Sequence, residues 1–207
     1  LEFRRVLFRS VYRGKLWEAG FRAIATGYPG QLNAAFDAEE VRLALLWRGR
    51  FLNAGPHWTV QGMGRIRPLG SDVVVLPHGP SRAVLQSPDA AWPTNSARDL
   101  GLRFRGYQLN ASRQPLLLYE IGGVQAEDLL QPLPATEGPG FRRTLRFQGK
   151  LPDGLHLRLA TGNALAAAGP AWRIAEGMEV RVPGGSQAIT RAAGTERELI
   201  LPVRTST

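Results

Sequence analysis

The chain has 207 residues, 43% of them hydrophobic, no cysteine and a formal net charge of +9. The missing cysteine excludes disulfides, thiolate metal sites, cysteine nucleophiles and covalent haem attachment within this stretch, and no apolar run reaches the ~18 residues needed to span a bilayer. Gly (24) and Pro (15) make up nearly one residue in five, which favours short strands and many turns over long helices.

In chain order, the first ten residues, LEFRRVLFRS, match the translated end of a common short-read sequencing adapter. They are expected to be non-native and are excluded from the fold; the native chain is expected to begin upstream of Val11. Without them the net charge is +7, from 23 basic and 16 acidic residues. Only Lys15 and Lys150 are lysines, and the arginines are scattered, with no run longer than the pairs Arg4–Arg5 and Arg142–Arg143. A nucleic-acid binder would need a clustered basic footprint, which the sequence lacks.

RAIATGY ends at Pro29-Gly30. QLNAAFD and the run from Arg42 to Trp47 read as two strands joined by a turn at Asp37–Glu40, with Leu43, Leu45 and Trp47 alternating against Arg42, Ala44 and Leu46. HWTVQGMGRIRPLG reads as a loop, and Val73 to Leu76 as a short buried strand stopped by Pro77. SPDAAWPTNSARD is the most loop-like segment, and the surrounding stretch 86–100 is the expected join if the chain divides in two. Beyond it Leu102 and Phe104, Leu145 and Phe147, and Leu155, Leu157 and Leu159 alternate with polar residues. One apolar and one polar face per strand marks antiparallel sheets. Ala164 to Ala168 is the exception, with one or two helical turns expected between Asn163 and Gly169-Pro170.

The chemistry-bearing residues are sparse. His57, His78 and His156 have no metal-ligand spacing; His78 lies in a Pro-His-Gly turn and His156 on the polar face of a strand. Glu39-Glu40 and Glu127-Asp128 are adjacent pairs, and neighbours on a strand point to opposite faces. Both pairs therefore read as solvated, although a sugar-cleaving site would need two carboxylates about 5–10 Å apart. No phosphate loop, serine elbow or zinc helix motif is present. Trp58 and Trp92 lie in loops, where flat rings are available to sugar faces with Arg and Asp as hydrogen-bond partners. The candidate ligand-binding residues are Asp37, Arg42, His57, Trp58 and Trp92; no catalytic residue and no metal ligand is assigned.

The stretch FDAEEVRLALLWRGRFLN resembles a region of large exported planctomycete and verrucomicrobial proteins that join c-type haem domains to sugar-related or dehydrogenase-like modules. There a turn precedes an FDAxxxRLAxxWxGxFLD pattern, a Trp and a Gly-rich loop. The matching residues here are Gly27, Pro29, Gly30, Phe36, Asp37, Ala38, Arg42, Leu43, Ala44, Trp47, Gly49, Phe51, Leu52, Trp58 and Gly62, with Asn53 where Asp is usual. FRGYQLNASRQPLLLYEIGGVQAEDL also fits. The resemblance implies a periplasmic or secreted module whose partners are other domains of a longer chain. Cys-x-x-Cys-His is absent, so no cofactor is expected in this fragment.

The expected fold is all-β: an antiparallel β-sandwich over residues 11–207, as one domain or two closely packed ones. The expected function is a non-catalytic accessory module that binds carbohydrate or packs against a cytochrome c domain. The alternatives are a piece of a sugar-active enzyme and a basic nucleic-acid-binding domain.

Overall fold

The computed structural model describes residues 11–56, 66–175, 178–183 and 188–203. In chain order its strands are β1 (Val11–Leu16), β2 (Gly20–Tyr28), β3 (Leu32–Asp37), β4 (Arg42–Arg48), β5 (Ser71–Val75), β6 (Arg82–Val84), β7 (Leu102–Leu109) and β8 (Pro115–Ile121). They continue with β9 (Val124–Pro132), β10 (Phe141–Gln148), β11 (Leu155–Thr161), β12 (Ala166–Ala168), β13 (Ala171–Ala175), β14 (Met178–Arg181), β15 (Ile189–Ala193) and β16 (Glu196–Pro202). Among the described residues all pairings are antiparallel, so the fold is all-β, with short 3-10 turns at Pro29–Gln31 and Ala135–Glu137. Among the described residues no helix is long and apolar enough to cross a membrane.

The first sheet is a five-stranded meander, β1 to β5. Pro29-Gly30 turns β2 into β3, with Gly30 at a φ of 78° that suits glycine. Between β3 and β4 the Asp37 carboxylate does the work: its Oδ1 accepts the backbone N–H of Glu39 at 2.9 Å and of Glu40 at 3.3 Å. A side chain that captures two backbone donors favours a turn over a helix, and FDAEEVR forms a hairpin as expected. The second sheet, β10-β9-β8-β7, is another meander. A third, β15-β16-β11-β6, and a three-stranded sheet, β12-β13-β14, complete the set.

The first two sheets pack face to face. Ile24 and Phe36 meet Leu117, Tyr119 and Ile121, with the Phe36 ring 5.7 Å from Phe104 and 6.4 Å from Tyr119. Every second residue of β8 is buried, the pattern a one-sided strand requires. The other face of the first sheet is also covered. Ala23, Ala25, Ala35 and Ala44 leave room for the chain that follows β4, and Ile66, Phe51 and Leu52 pack there with Trp47. The Trp47 and Phe51 rings stack at 5.9 Å, and the Trp47 Nε1–H donates to Arg50 O at 3.1 Å. The third and fourth sheets share a smaller core of Leu76, Ala160, Leu165, Ile174 and Leu199.

Four expectations are corrected. Ala166–Ala168 is a strand paired with β13, not a helical turn; five residues are too few to nucleate a helix, whereas cross-strand bonds satisfy the backbone at once. β5 is an edge strand with Val73 and Val75 exposed, not a buried strand. His156 is buried, its Nδ1 2.7 Å from Gly154 O, on a strand paired along both edges and so inside its sheet, not at the margin where a wet face is usual. Asp128 is buried as well. It receives Arg143 at 2.6 Å and 2.9 Å and Arg82 at 3.1 Å, while the Arg82 guanidinium lies 4.5 Å over the Tyr119 ring.

Candidate functional site

In a meander, alternate turns lie at the same end of the sheet. The β1–β2 turn, which carries Glu18, and the β3–β4 turn, Asp37 to Arg42, are therefore neighbours. β5 runs antiparallel to β4, so the chain leaving it, Pro77-His78-Gly79-Pro80, arrives at that end too. The loop Trp92–Ala97 forms the opposite wall. Together they enclose a cleft of about 920 Å³, within the roughly 300–1,000 Å³ of small-molecule sites.

Arg42 ties these turns together. Only 1% of it is exposed, and its guanidinium is engaged on every side. Nε donates to Glu40 Oε2 at 2.5 Å and lies 3.7 Å from Asp37 Oδ2. Nη1 donates to Leu76 O and Pro77 O, each at 3.2 Å, and Nη2 to Glu18 O at 2.7 Å. Arg42 Nη2 also lies 3.2 Å from His78 Nδ1. A guanidinium has only donors, so this Nδ1 accepts and the proton of neutral His78 sits on Nε2. That Nε2–H faces Glu18 Oε2 at 2.8 Å. Glu40 Oε2 also accepts the Gly79 backbone N–H at 3.0 Å. Burial pushes the Asp37 carboxyl above its ordinary range, and the Glu39 and Glu40 N–H groups and the Arg42 charge undo this only in part.

The opposite wall hangs from a buried carboxylate. Glu198 on β16 accepts the Arg191 Nε–H at 2.8 Å, has Arg191 Nη2 at 2.6 Å in an ion pair, and lies 3.9 Å from Arg158. Arg191 in turn donates to Pro88 O and to Ala90 O, holding the loop before Trp92. Arg158 donates to His78 O and covers the Trp92 ring at 4.9 Å, while the Trp92 Nε1–H donates to Pro80 O at 3.0 Å. At the rim Phe21 is 69% exposed, with the Lys15 ammonium 4.6 Å from its centroid. Trp17 is half-buried beneath Arg67 at 4.9 Å.

Of the residues singled out in the sequence, Asp37, Arg42 and Trp92 meet at this cleft. Asp37 and Arg42 are buried and shape it from below; Trp92 forms part of its wall. His57 and Trp58 lie outside the described residues. Sequence reasoning missed Glu18, Glu40, His78 and Phe21. Glu39 is exposed as expected, but its neighbour Glu40 is drawn into the Arg42 cluster. The usable signal was topological, since a run of hairpins sends every second turn to one end.

The arrangement offers partly exposed carboxylates, an imidazole of fixed tautomer and aromatic rings around one open volume. Among the described residues no group of three or more His, Asp or Glu side chains is placed to hold a metal ion. Comparison of the chain with known protein families, with curated proteins and with solved structures returns no match.

Proposed function

We propose that this chain is a non-catalytic module that binds carbohydrate in the cleft between the Glu18, Asp37–Arg42 and Trp92–Ala97 segments, within a longer exported protein of the kind the resemblance implies. The observation that carries the reading is the joint lining of one cleft of about 920 Å³ by Trp17, Phe21 and Trp92 together with Glu18, Glu40 and His78. Sugar rings stack on flat aromatic faces, and their hydroxyls need a few fixed polar partners. The test is a titration of intrinsic Trp fluorescence with a panel of soluble polysaccharides. Binding should quench the signal of Trp17 or Trp92, and Phe21→Ala should weaken it about tenfold without unfolding the chain, since that ring is already exposed. No response across the panel removes the reading.

A sugar-active enzyme is the second reading, favoured by one observation. Glu18, Asp37 and Glu40 converge on the same cleft beside His78 and Arg42, which adjacent carboxylates in the sequence did not foretell. Release of reducing ends from a bound polysaccharide, abolished by Glu18→Gln or Glu40→Gln, would decide for it.

A further inference from the structure

We propose, resting on the sugar-binding reading above, that the cleft selects neutral, hydroxyl-rich glycans and rejects acidic ones, against the pull of the chain's bulk charge. A net charge of +9, or +7 without the first ten residues, by itself draws acidic polymers to a surface. The lining of the cleft works the other way, because both of its guanidiniums are already engaged; its third cation, Lys15, is a single ammonium beside the Phe21 ring. Arg42 is spent on Glu40, Glu18 O, Leu76 O and Pro77 O. Arg158 is held by the Trp92 ring, His78 O and Glu198. A uronate or sulfate entering the cleft meets no guanidinium free to take it in the bidentate way such groups favour.

The side-chain carboxylates, by contrast, retain capacity. Glu18 and Glu40 are 30% and 35% exposed, and each uses one oxygen, Oε2, in its contacts among the described residues. A carboxylate oxygen only accepts. Its partner must be a donor, which a sugar hydroxyl is and a second carboxylate is not. Four acidic side chains line the cleft, Asp37 and Glu39 with these two, against three cations. The carboxylates of an anionic glycan therefore meet acceptors with acceptors and gain no net attraction there.

Hydroxyethylcellulose as the neutral probe and polygalacturonate as the acidic one test this by affinity electrophoresis and calorimetry at low and high salt. The neutral polymer should bind with an affinity indifferent to salt; polygalacturonate should bind only at low salt, through bulk charge that added salt screens. Glu18→Gln should weaken the neutral complex about tenfold by removing a charge-assisted acceptor. Glu40→Gln is measured beside it, and a urea midpoint for each variant separates lost binding from lost folding. Polygalacturonate held at high salt as tightly as the neutral polymer overturns the selectivity, as do two folded variants with unchanged affinity. Binding of neither polymer overturns the sugar-binding reading itself, and the selectivity with it.

Discussion

Replacing Arg42 by Met tests whether this residue is the tie that assembles the cleft. Methionine keeps most of the side chain's apolar length and removes every donor. Three backbone carbonyls, Leu76 O, Pro77 O and Glu18 O, and the Glu40 carboxylate lose a partner together. A buried acceptor left unsatisfied costs about 1–3 kcal/mol. Leu76 O is the buried one of the three, and those nearer the cleft regain water. Asp37, 3.7 Å away and almost fully buried, loses its one cation within ion-pair reach among the described residues. Together these losses amount to about 3–5 kcal/mol, the usual cost of removing one partner from a buried pair. In a chain of this size that lowers the thermal midpoint by about 10 °C. Arg42→Lys restores the charge but not the fan of donors, and should recover only part of the loss. Urea unfolding followed by Trp fluorescence gives the energies. Nitrogen NMR of His78 gives a second readout: proton on Nε2 in the native chain, and mixed tautomers once Arg42 is gone. A Met variant within about 1 kcal/mol of the native chain, or a native His78 protonated on Nδ1 alone, refutes the reasoning.

Two further outcomes follow from the same geometry. Gly20 has a φ of +78°, and a Cβ there would stand 2.9 Å from Asp37 Oδ2; Gly30 has the same φ with nothing within 4 Å. Gly30→Ala should cost the left-handed backbone alone, about 1–2 kcal/mol, and Gly20→Ala clearly more; equal thermal midpoints for the two would sink the Asp37 contact. At Asp128, burial pushes the carboxyl up, but the charges and hydrogen bonds of Arg143 and Arg82 more than reverse this, so it titrates below the ordinary range. A lowered pKa means stability that is complete above the unfolded value, near 3.9, and is lost as pH falls through the folded one. Asp128→Asn should therefore cost about 3–5 kcal/mol at neutral pH, and urea midpoints should show the gap to the native chain closing in acid; a gap independent of pH would contradict the pairing.

The sheets were legible in the sequence wherever a strand has one dry side. β10 keeps the alternation that FRRTLRF announces. Legibility failed where both faces are covered. Arg42 and Leu43 read as wet and dry neighbours, yet Arg42 is the more deeply buried, because the β1–β2 turn and the chain leaving β5 close around its guanidinium. A different failure hid Asp128, which lies on the dry side of β9 while its neighbour Glu127 lies on the wetter one; in a strand a pair of acids is split between two environments, so a solvated reading can hold for only one of them. The cleft was harder still. Arg42 joins Glu18, 24 positions back, to Leu76, 34 positions on, and no local pattern encodes such a span. It is encoded by the order of the strands. With each strand beside its predecessor, odd-numbered turns share an end, and a charged residue at the foot of β4 faces the turn before β2 and the chain leaving β5. A buried arginine that opens a strand, flanked by acids in the preceding turn, is thus a marker for converging loops, and its donors are consumed in joining them, leaving the open volume of the cleft to the side chains that Arg42 holds in place.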